Sequence, residues 1–251
     1  MLTQPKLENG IFEDTYRTSF TQTGIYDVVT NKSILSILEN IAGAHSAYVH
    51  YTFENLSKQN LTWVLLNWKL QVLKRIKADT NIKVQTWGRS ATKIIVNRDF
   101  KVFDEEGTLC AIATSKWCLL DTTTGKIAKL PENIAEIYHG FHDESVFGIE
   151  DVPKLEEPKL EPLNVDSYKI RRFDLDLNKH VHNLNYLNIA YELLPEDVYD
   201  GSELNNVEIL YKRELKYGDI VKSYLYNQDD SYIIVLKSED NSILHSIIKL
   251  F

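Results

Sequence analysis

The sequence predicts an α+β protein in which one plan is carried out twice: a long central helix laid against a curved antiparallel sheet. Three observations predict it. A stretch of helical periodicity is followed by several long β-rich stretches, the same order returns in the second half, and a proline- and charge-rich stretch separates the two. A period this long is too great for a solenoid and reads as a duplicated domain. The expected layout is residues 1–149, a linker over 150–165, and residues 166–251.

The first helix is expected over Asn31–Val49, where Ile34, Ile37, Leu38 and Ile41 recur at helical spacing, continued by Ala44 and by Ala47 or Tyr48. Thr30 or Asn31 can cap its start. Its small residues Ala42, Gly43, Ala44, Ser46 and Ala47 let a second backbone approach closely. Strand-like runs rich in Val, Ile, Thr and aromatics follow at Trp63–Val72, Asn81–Ser90, Thr92–Asp104 and Leu109–Asp121. Asp104–Gly107 and Thr122–Gly125 mark turns. The stretch Glu150–Asn164 holds three of the six prolines and many charges, a composition suited to an extended linker rather than a core. Asn183–Leu194 reads as the second helix, with Tyr186, Ile189, Ala190 and Leu193 on one face and Pro195 ending it. Strands are then expected at Asn206–Leu215, Asp219–Gln228, Ser231–Ser238 and Ser242–Phe251.

Composition narrows the function. With 43% hydrophobic and 25% charged residues the chain reads as an ordinary globular protein. Its net charge of -8 argues against a nucleic-acid partner, which requires Lys and Arg against phosphates. No signal peptide is visible at Met1–Phe12, and no apolar run approaches the roughly 18–20 residues of a membrane span. The expected location is therefore the cytoplasm. Cys110 and Cys118 on one extended strand share a face but lie too far apart to bridge, so free thiols are expected. No metal-ligand spacing and no cofactor motif stands out.

Chemistry concentrates ahead of the second helix, in Arg171-Arg172-Phe173-Asp174-Leu175-Asp176-Leu177-Asn178-Lys179-His180-Val181-His182-Asn183-Leu184-Asn185-Tyr186. Asp176, Asn178 and His180 recur with period two, so in an extended segment their side chains share a face. A carboxylate, an amide and an imidazole there suit hydrolysis: the imidazole exchanges protons near neutral pH, and helix-start N–H groups can receive an oxyanion. The same residue types also serve as turn and N-cap residues, and spacing alone leaves both readings open.

The segment closely resembles the signature of acyl-acyl carrier protein thioesterases of plant plastids and bacteria, Arg-Arg-x-Asp-Leu-Asp-x-Asn-x-His-Val-Asn-Asn-x-x-Tyr. Tyr191-Glu192-Leu193-Leu194-Pro195 looks like that family's Leu-Glu-Ser-x-Pro, and Tyr211-Lys212-Arg213-Glu214-Leu215 like its Tyr-Arg-Arg-Glu-Cys. The resemblance extends more loosely over nearly the whole chain. It implies a tandem double hot-dog fold, with the acyl chain in a tunnel of the N-terminal half. It implies hydrolysis of the fatty acyl thioester on the 4'-phosphopantetheine arm of acyl carrier protein. Carried over by position, the catalytic residues fall on Asp176, Asn178, His180 and Glu214.

Two departures bear on mechanism. Leu215 stands where plant members often have the cysteine once proposed as nucleophile, so the expected attacking group is water. Glu214 would then hold and activate that water, His180 assist proton transfer, Asn178 orient the carbonyl or water, and Asp176 orient its neighbours. His182 stands where Asn is usual and is expected either as a further titrating group near the site or in a surface or capping role; Asn183 marks the expected oxyanion site. An acidic carrier protein calls for a basic patch, with Arg171 and Arg172 first and Lys74, Arg75 and Lys77 as further candidates. A homodimer is among the assemblies the sequence allows. The rival readings are an acyl-coenzyme A thioesterase or a dehydratase on the same fold, and a non-catalytic acyl-binding protein.

Overall fold

The computed structural model describes residues 4–25, 27–149, 152, 154–201 and 204–251. The chain divides into two compact units, residues 1–152 and 153–251.

The N-terminal unit runs β1 (Lys6–Glu8), β2 (Ile11–Arg17), α1 (Asn31–Tyr48), α2 (Phe53–Ser57), β3 (Leu61–Val72), β4 (Asn81–Ala91), β5 (Val96–Phe103), β6 (Leu109–Asp121), β7 (Lys126–Ala128), α3 (Ile134–Ile137) and β8 (Phe141–His142). The sheet order is β1-β2-β4-β5-β6-β3, antiparallel throughout, with β7 beside β6 and β8 parallel to β4. Register shifts between Leu65 and Asn67 of β3 and between Gly88 and Ala91 of β4 bend these long strands. Helix α1 starts as the sequence expects: Thr30 lies outside the helix, and its hydroxyl accepts the Ser33 N–H at 3.1 Å. Ile34, Ile37, Leu38 and Ile41 are buried as read from the sequence, but the stripe continues through Ala42 and His45 rather than Ala44 and Ala47 or Tyr48, the last two being exposed. This face packs toward β4.

The C-terminal unit runs β9 (Asn164–Lys169), α4 (Asn185–Tyr191), α5 (Glu196–Gly201), β10 (Asn206–Tyr211), β11 (Ile220–Gln228), β12 (Ser231–Ser238) and β13 (Leu244–Leu250). The strand order is β10-β13-β12-β11-β9, again antiparallel. Ile209, Val221, Ile234, Val235, Leu236 and Ile248 are wholly buried, and α4 packs its face of Tyr186, Leu187, Ile189 and Ala190 toward β13.

Several elements differ from expectation for local reasons. The second helix is seven residues long, not the twelve of Asn183–Leu194. At its start the Leu184 N–H is taken by the His182 imidazole, and at its end Leu193 and Leu194 close onto Ala190 and Tyr191 before Pro195. Such three-residue closures tighten the last turn, and proline cannot continue it. Strand β5 begins at Val96 because Thr92 and Ile95 form a turn, with the Thr92 hydroxyl accepting the Ile95 N–H. Strand β10 stops at Tyr211, four residues early. Strand β9 begins at Asn164, inside the stretch expected to be linker; Glu150, Asp151 and Pro153 of that stretch lie outside the described residues. Cys110 and Cys118 are buried free thiols. Among the described residues no helix is long and apolar enough to cross a membrane.

Candidate active site

The segment ahead of α4 is not extended. Leu175 and Val181 pair as an isolated bridge, and between them Asp176–His180 folds into a tight turn closed by Asp176 N–H to the His180 carbonyl at 2.8 Å. Lys179 takes the left-handed conformation this turn requires, φ 63°. The Asp176 carboxylate is the keystone: one oxygen accepts the N–H of Asn178 at 2.8 Å and of His180 at 3.2 Å. This corrects the expectation of one shared face along a strand. Asp176 meets its two partners through their backbones, the Asn178 side chain is exposed, and His180 is half-buried.

A second segment, Lys212–Asp219, lies against this turn. The Val181 N–H donates to the Leu215 carbonyl at 2.8 Å, and His180 bridges Lys216. Val181 and Leu215 are buried, Leu215 wholly so, whereas Glu214 and Lys216 are exposed. Leu215 is thus turned into the core, while Glu214 and Lys216 on either side of it are exposed. Glu214 is therefore on a loop beyond β10, not on the strand the sequence suggests. The loop departs because Lys212 and Arg213 both donate to the His245 carbonyl of β13 (2.9 and 3.3 Å). The His245 ring returns a hydrogen bond from Nδ1 to the Arg213 carbonyl at 3.1 Å.

Behind both segments stands Tyr186. It is buried on α4 and meets the Tyr211 ring edge-on at 5.5 Å, with the Leu215 backbone and the carboxylates of the site beside it. Burial pushes its phenol far up, and the negative charges of Glu214, Asp219 and Asp176 add to this, the Leu215 backbone opposing it. The Tyr211 hydroxyl in turn donates to the Asn183 carbonyl at 3.0 Å.

The helix start is differently equipped than expected. The N–H groups of Leu184, Asn185, Tyr186 and Leu187 donate to His182 Nδ1 and to the carbonyls of His182, Asn183 and Leu184. Those four donors are thus occupied within the chain, which removes them from the oxyanion role expected near Asn183. His182 serves as a capping group. Its own N–H donates to the Asp174 carbonyl at 2.8 Å, which also receives the Asn185 amide at 3.0 Å.

The basic residues expected to meet a carrier protein divide between the units. In the N-terminal unit Lys74 is ion-paired to Asp104 at 2.6 Å and Arg75 donates to Asn31 at 2.8 Å, while Lys77 is exposed. Arg171 and Arg172 are exposed in the C-terminal unit, their guanidinium groups over the rings of Tyr168 (5.0 Å) and Tyr217 (5.4 Å).

The sequence model of the acyl-ACP thioesterase N-terminal domain matches residues 9–138, and that of the C-terminal domain residues 157–249. The chain belongs to the acyl-ACP thioesterase family. Among curated relatives, oleoyl-acyl carrier protein thioesterase 2 of Arabidopsis thaliana is 25% identical over 229 residues, 85% of this chain and 62% of that protein. Dodecanoyl-[acyl-carrier-protein] hydrolase of Umbellularia californica is 26% identical over 174 residues, 67% of this chain and 45% of that protein. The chain thus spans about three fifths or less of the length of these plant relatives. An acyl-ACP thioesterase from Bacteroides thetaiotaomicron superposes with a TM-score of 0.85 at 22% identity, covering 97% of this chain and 98% of that one. A 12:0-ACP thioesterase from Umbellularia californica does so with a TM-score of 0.83 at 20% identity, covering 98% of each. The fold of this family member is accordingly the double hot-dog.

Within this acyl-ACP thioesterase framework, sequence reading placed Tyr186 on the buried face of the second helix, as the structure has it, but gave Asp174 and His245 no part in holding the segments. Tyr186 and Asp174 stand inside the signature, so their spacing was a usable signal. His245 is 31 residues beyond Glu214 with no motif around it, and only the β10–β13 pairing brings it to the loop.

Proposed function

We propose that this chain hydrolyses the thioester joining a fatty acyl group to the 4'-phosphopantetheine arm of acyl carrier protein. The products are a free fatty acid and the carrier-protein thiol. The observation that carries the reading is the backbone pairing of His180 and Val181 with Lys216 and Leu215, which sets the signature histidine against the segment of Glu214. Family membership across both domains supports the substrate class.

A water molecule attacks the thioester carbonyl carbon. The Glu214 carboxylate holds that water and, with His180, takes its proton as the carbon–oxygen bond forms. The tetrahedral intermediate collapses with cleavage of the carbon–sulfur bond, and the proton passes to the departing thiolate. Asn178 orients the carbonyl or the water. Asp176 is a positioning residue, since its carboxylate is committed to the Asn178 and His180 N–H groups. No cysteine is needed, and the buried Leu215 leaves no thiol at the position next to Glu214.

The test is hydrolysis of a panel of acyl thioesters on carrier protein and on coenzyme A. The expected result is preference for the carrier-protein esters; a clear preference for the coenzyme A esters sinks that assignment. Glu214→Ala and His180→Ala should each lower turnover by about 10²–10⁴-fold with the circular dichroism unchanged. Full activity in either variant overturns its role.

A further inference from the structure

Two of the chain's large apolar side chains are almost wholly in solvent, and both belong to the outer side of the candidate active site. Phe173 is 98% exposed and Leu177 89% exposed. Tyr217, on the neighbouring segment, is 58% exposed. Single exposed apolar residues are ordinary, but three on adjoining turns form a patch, and such patches mark interaction sites.

Loose chain does not explain the exposure. Phe173 is carried by a single helical turn whose Asp174 carboxylate accepts the Arg171 N–H at 2.7 Å and the Tyr168 hydroxyl at 3.0 Å. Leu177 is at the tip of the turn that Asp176 closes. Tyr217 follows Lys216, whose N–H is held by the Asp219 carboxylate at 2.8 Å. The Arg172 guanidinium over the Tyr217 ring joins the two segments into one surface. Hydrogen-bonded turns that present apolar side chains outward are preorganised for contact, which lowers the entropic cost of docking.

The charge around the patch is opposite to that of the protein. Segments 171–182 and 212–219 hold six Lys and Arg against four Asp and Glu, on a chain with a net charge of -8. Three of those carboxylates, Asp174, Asp176 and Asp219, are tied to backbone N–H groups. The cations are outward. Arg171, Arg172 and Lys216 are all exposed, and no carboxylate within ion-pair distance is recorded for them among the described residues. An apolar centre with a cationic border fits an acidic partner that exposes apolar side chains of its own, with the charges steering encounter.

We propose that Arg171, Arg172, Phe173, Leu177, Lys216 and Tyr217 form the docking surface for an acidic, phosphopantetheine-bearing carrier protein. This rests on the function proposed above and assigns its partner to a place. The surface borders the turn that carries His180, so a docked carrier delivers its thioester from the adjoining side. It replaces Lys74 and Arg75, whose side chains have partners within the N-terminal unit.

The experiment compares one acyl group on two carriers: acyl carrier protein and free pantetheine. Phe173→Ser and Arg172→Glu are measured on both, with near-ultraviolet circular dichroism to report folding. The expected result is a rise in KM for the carrier-protein ester of about tenfold or more in each variant, with kcat/KM for the pantetheine ester within about twofold of the parent. The salt dependence of that KM should also flatten in Arg172→Glu. Unchanged KM for the carrier-protein ester overturns the docking surface, and so does an equal loss on both esters. Dissociation of a dimer by Phe173→Ser would assign the patch to a second copy of the chain instead. If the parent protein turns over the pantetheine ester but not the carrier-protein ester, the functional reading itself fails, which the variants alone cannot produce.

Discussion

Leu215 shows how one residue discriminates between mechanisms. It stands beside the candidate catalytic Glu214, its carbonyl accepts the Val181 N–H, and its side chain is wholly buried. A thiol placed there would enter the core rather than approach His180. Leu215→Cys should therefore leave turnover within about twofold while lowering stability by about 1–3 kcal/mol, because removing buried methyl groups leaves a partly unfilled space. Denaturant unfolding and a thioester assay on the same preparation read both effects. A large rise in activity, or trapping of an acyl-cysteine, would restore the thiol mechanism. Tyr186 acts at the same scale from below. Its phenol is kept protonated by burial and by the nearby charges of Glu214, Asp219 and Asp176, so it packs beneath the two segments as a neutral group.

At the scale of elements, the turn Asp176–His180 is the unit that does the positioning. Its geometry depends on one carboxylate oxygen accepting two N–H groups and on Lys179 at positive φ. Asp176→Asn keeps a carbonyl oxygen that can accept both bonds, whereas Asp176→Ala leaves both N–H groups without their acceptor. Activity should therefore fall by about 10²-fold in Asp176→Ala and by much less in Asp176→Asn, with KM for a small thioester little changed. Equal losses in the two would mean that the charge itself, not the turn, carries the role. Elements also set how far the sequence could be read. The start of α1 was legible because a threonine hydroxyl capping an N–H three residues on is a local interaction. Strand β9 was not, because all but one of its six residues are exposed and its start falls within the stretch whose composition reads as linker. Edge strands formed by backbone pairing alone leave no hydrophobic alternation to detect.

At the scale of the whole molecule, stability depends on buried polar groups in the N-terminal unit. Arg89 and Asp99 form a buried ion pair at 3.2 Å, and the Asp99 carboxylate also accepts the Val146 N–H. Nearby in sequence, Arg98 is buried and donates to His45 Nδ1 and to the Thr86 hydroxyl, both at 3.1 Å. Arginine cannot accept, so His45 Nδ1 is the acceptor and the ring is neutral. Burial first, then the charges of Arg98 and His139, holds His45 down from 6.5 to about 2. The folded protein therefore refuses a proton that the unfolded chain takes up below about pH 6.5. Stability from this group is complete above that pH and falls on acidification by up to about 1.4 kcal/mol per pH unit. Urea midpoints between about pH 5 and 7 should show this slope, and His45→Gln, which keeps an acceptor for Arg98, should flatten it. An unchanged slope in that variant would assign the acid sensitivity to other groups.

The sequence by itself determined the repeated helix-and-sheet plan, the start of α1, the main strands of both units and the stretch 171–186 as the place where chemistry concentrates. Those features rest on periodicity, capping and turn chemistry, which act between residues close along the chain. Glu214 entered only through family resemblance, since a lone exposed glutamate beside Lys212 and Arg213 carries no local signal. Tertiary structure decided the rest: that Asp176–His180 is a turn rather than a strand, that Glu214 rides a loop held by His245, and that the second helix is short. It also decided that Phe173 and Leu177 face solvent. The Glu214 loop depends on bonds to His245 and Val181, distant in sequence, which exist only once the sheet has formed. The turn and the short helix rest on nearby hydrogen bonds of Asp176 and His182 side chains, which compete with the regular backbone pattern that periodicity reads.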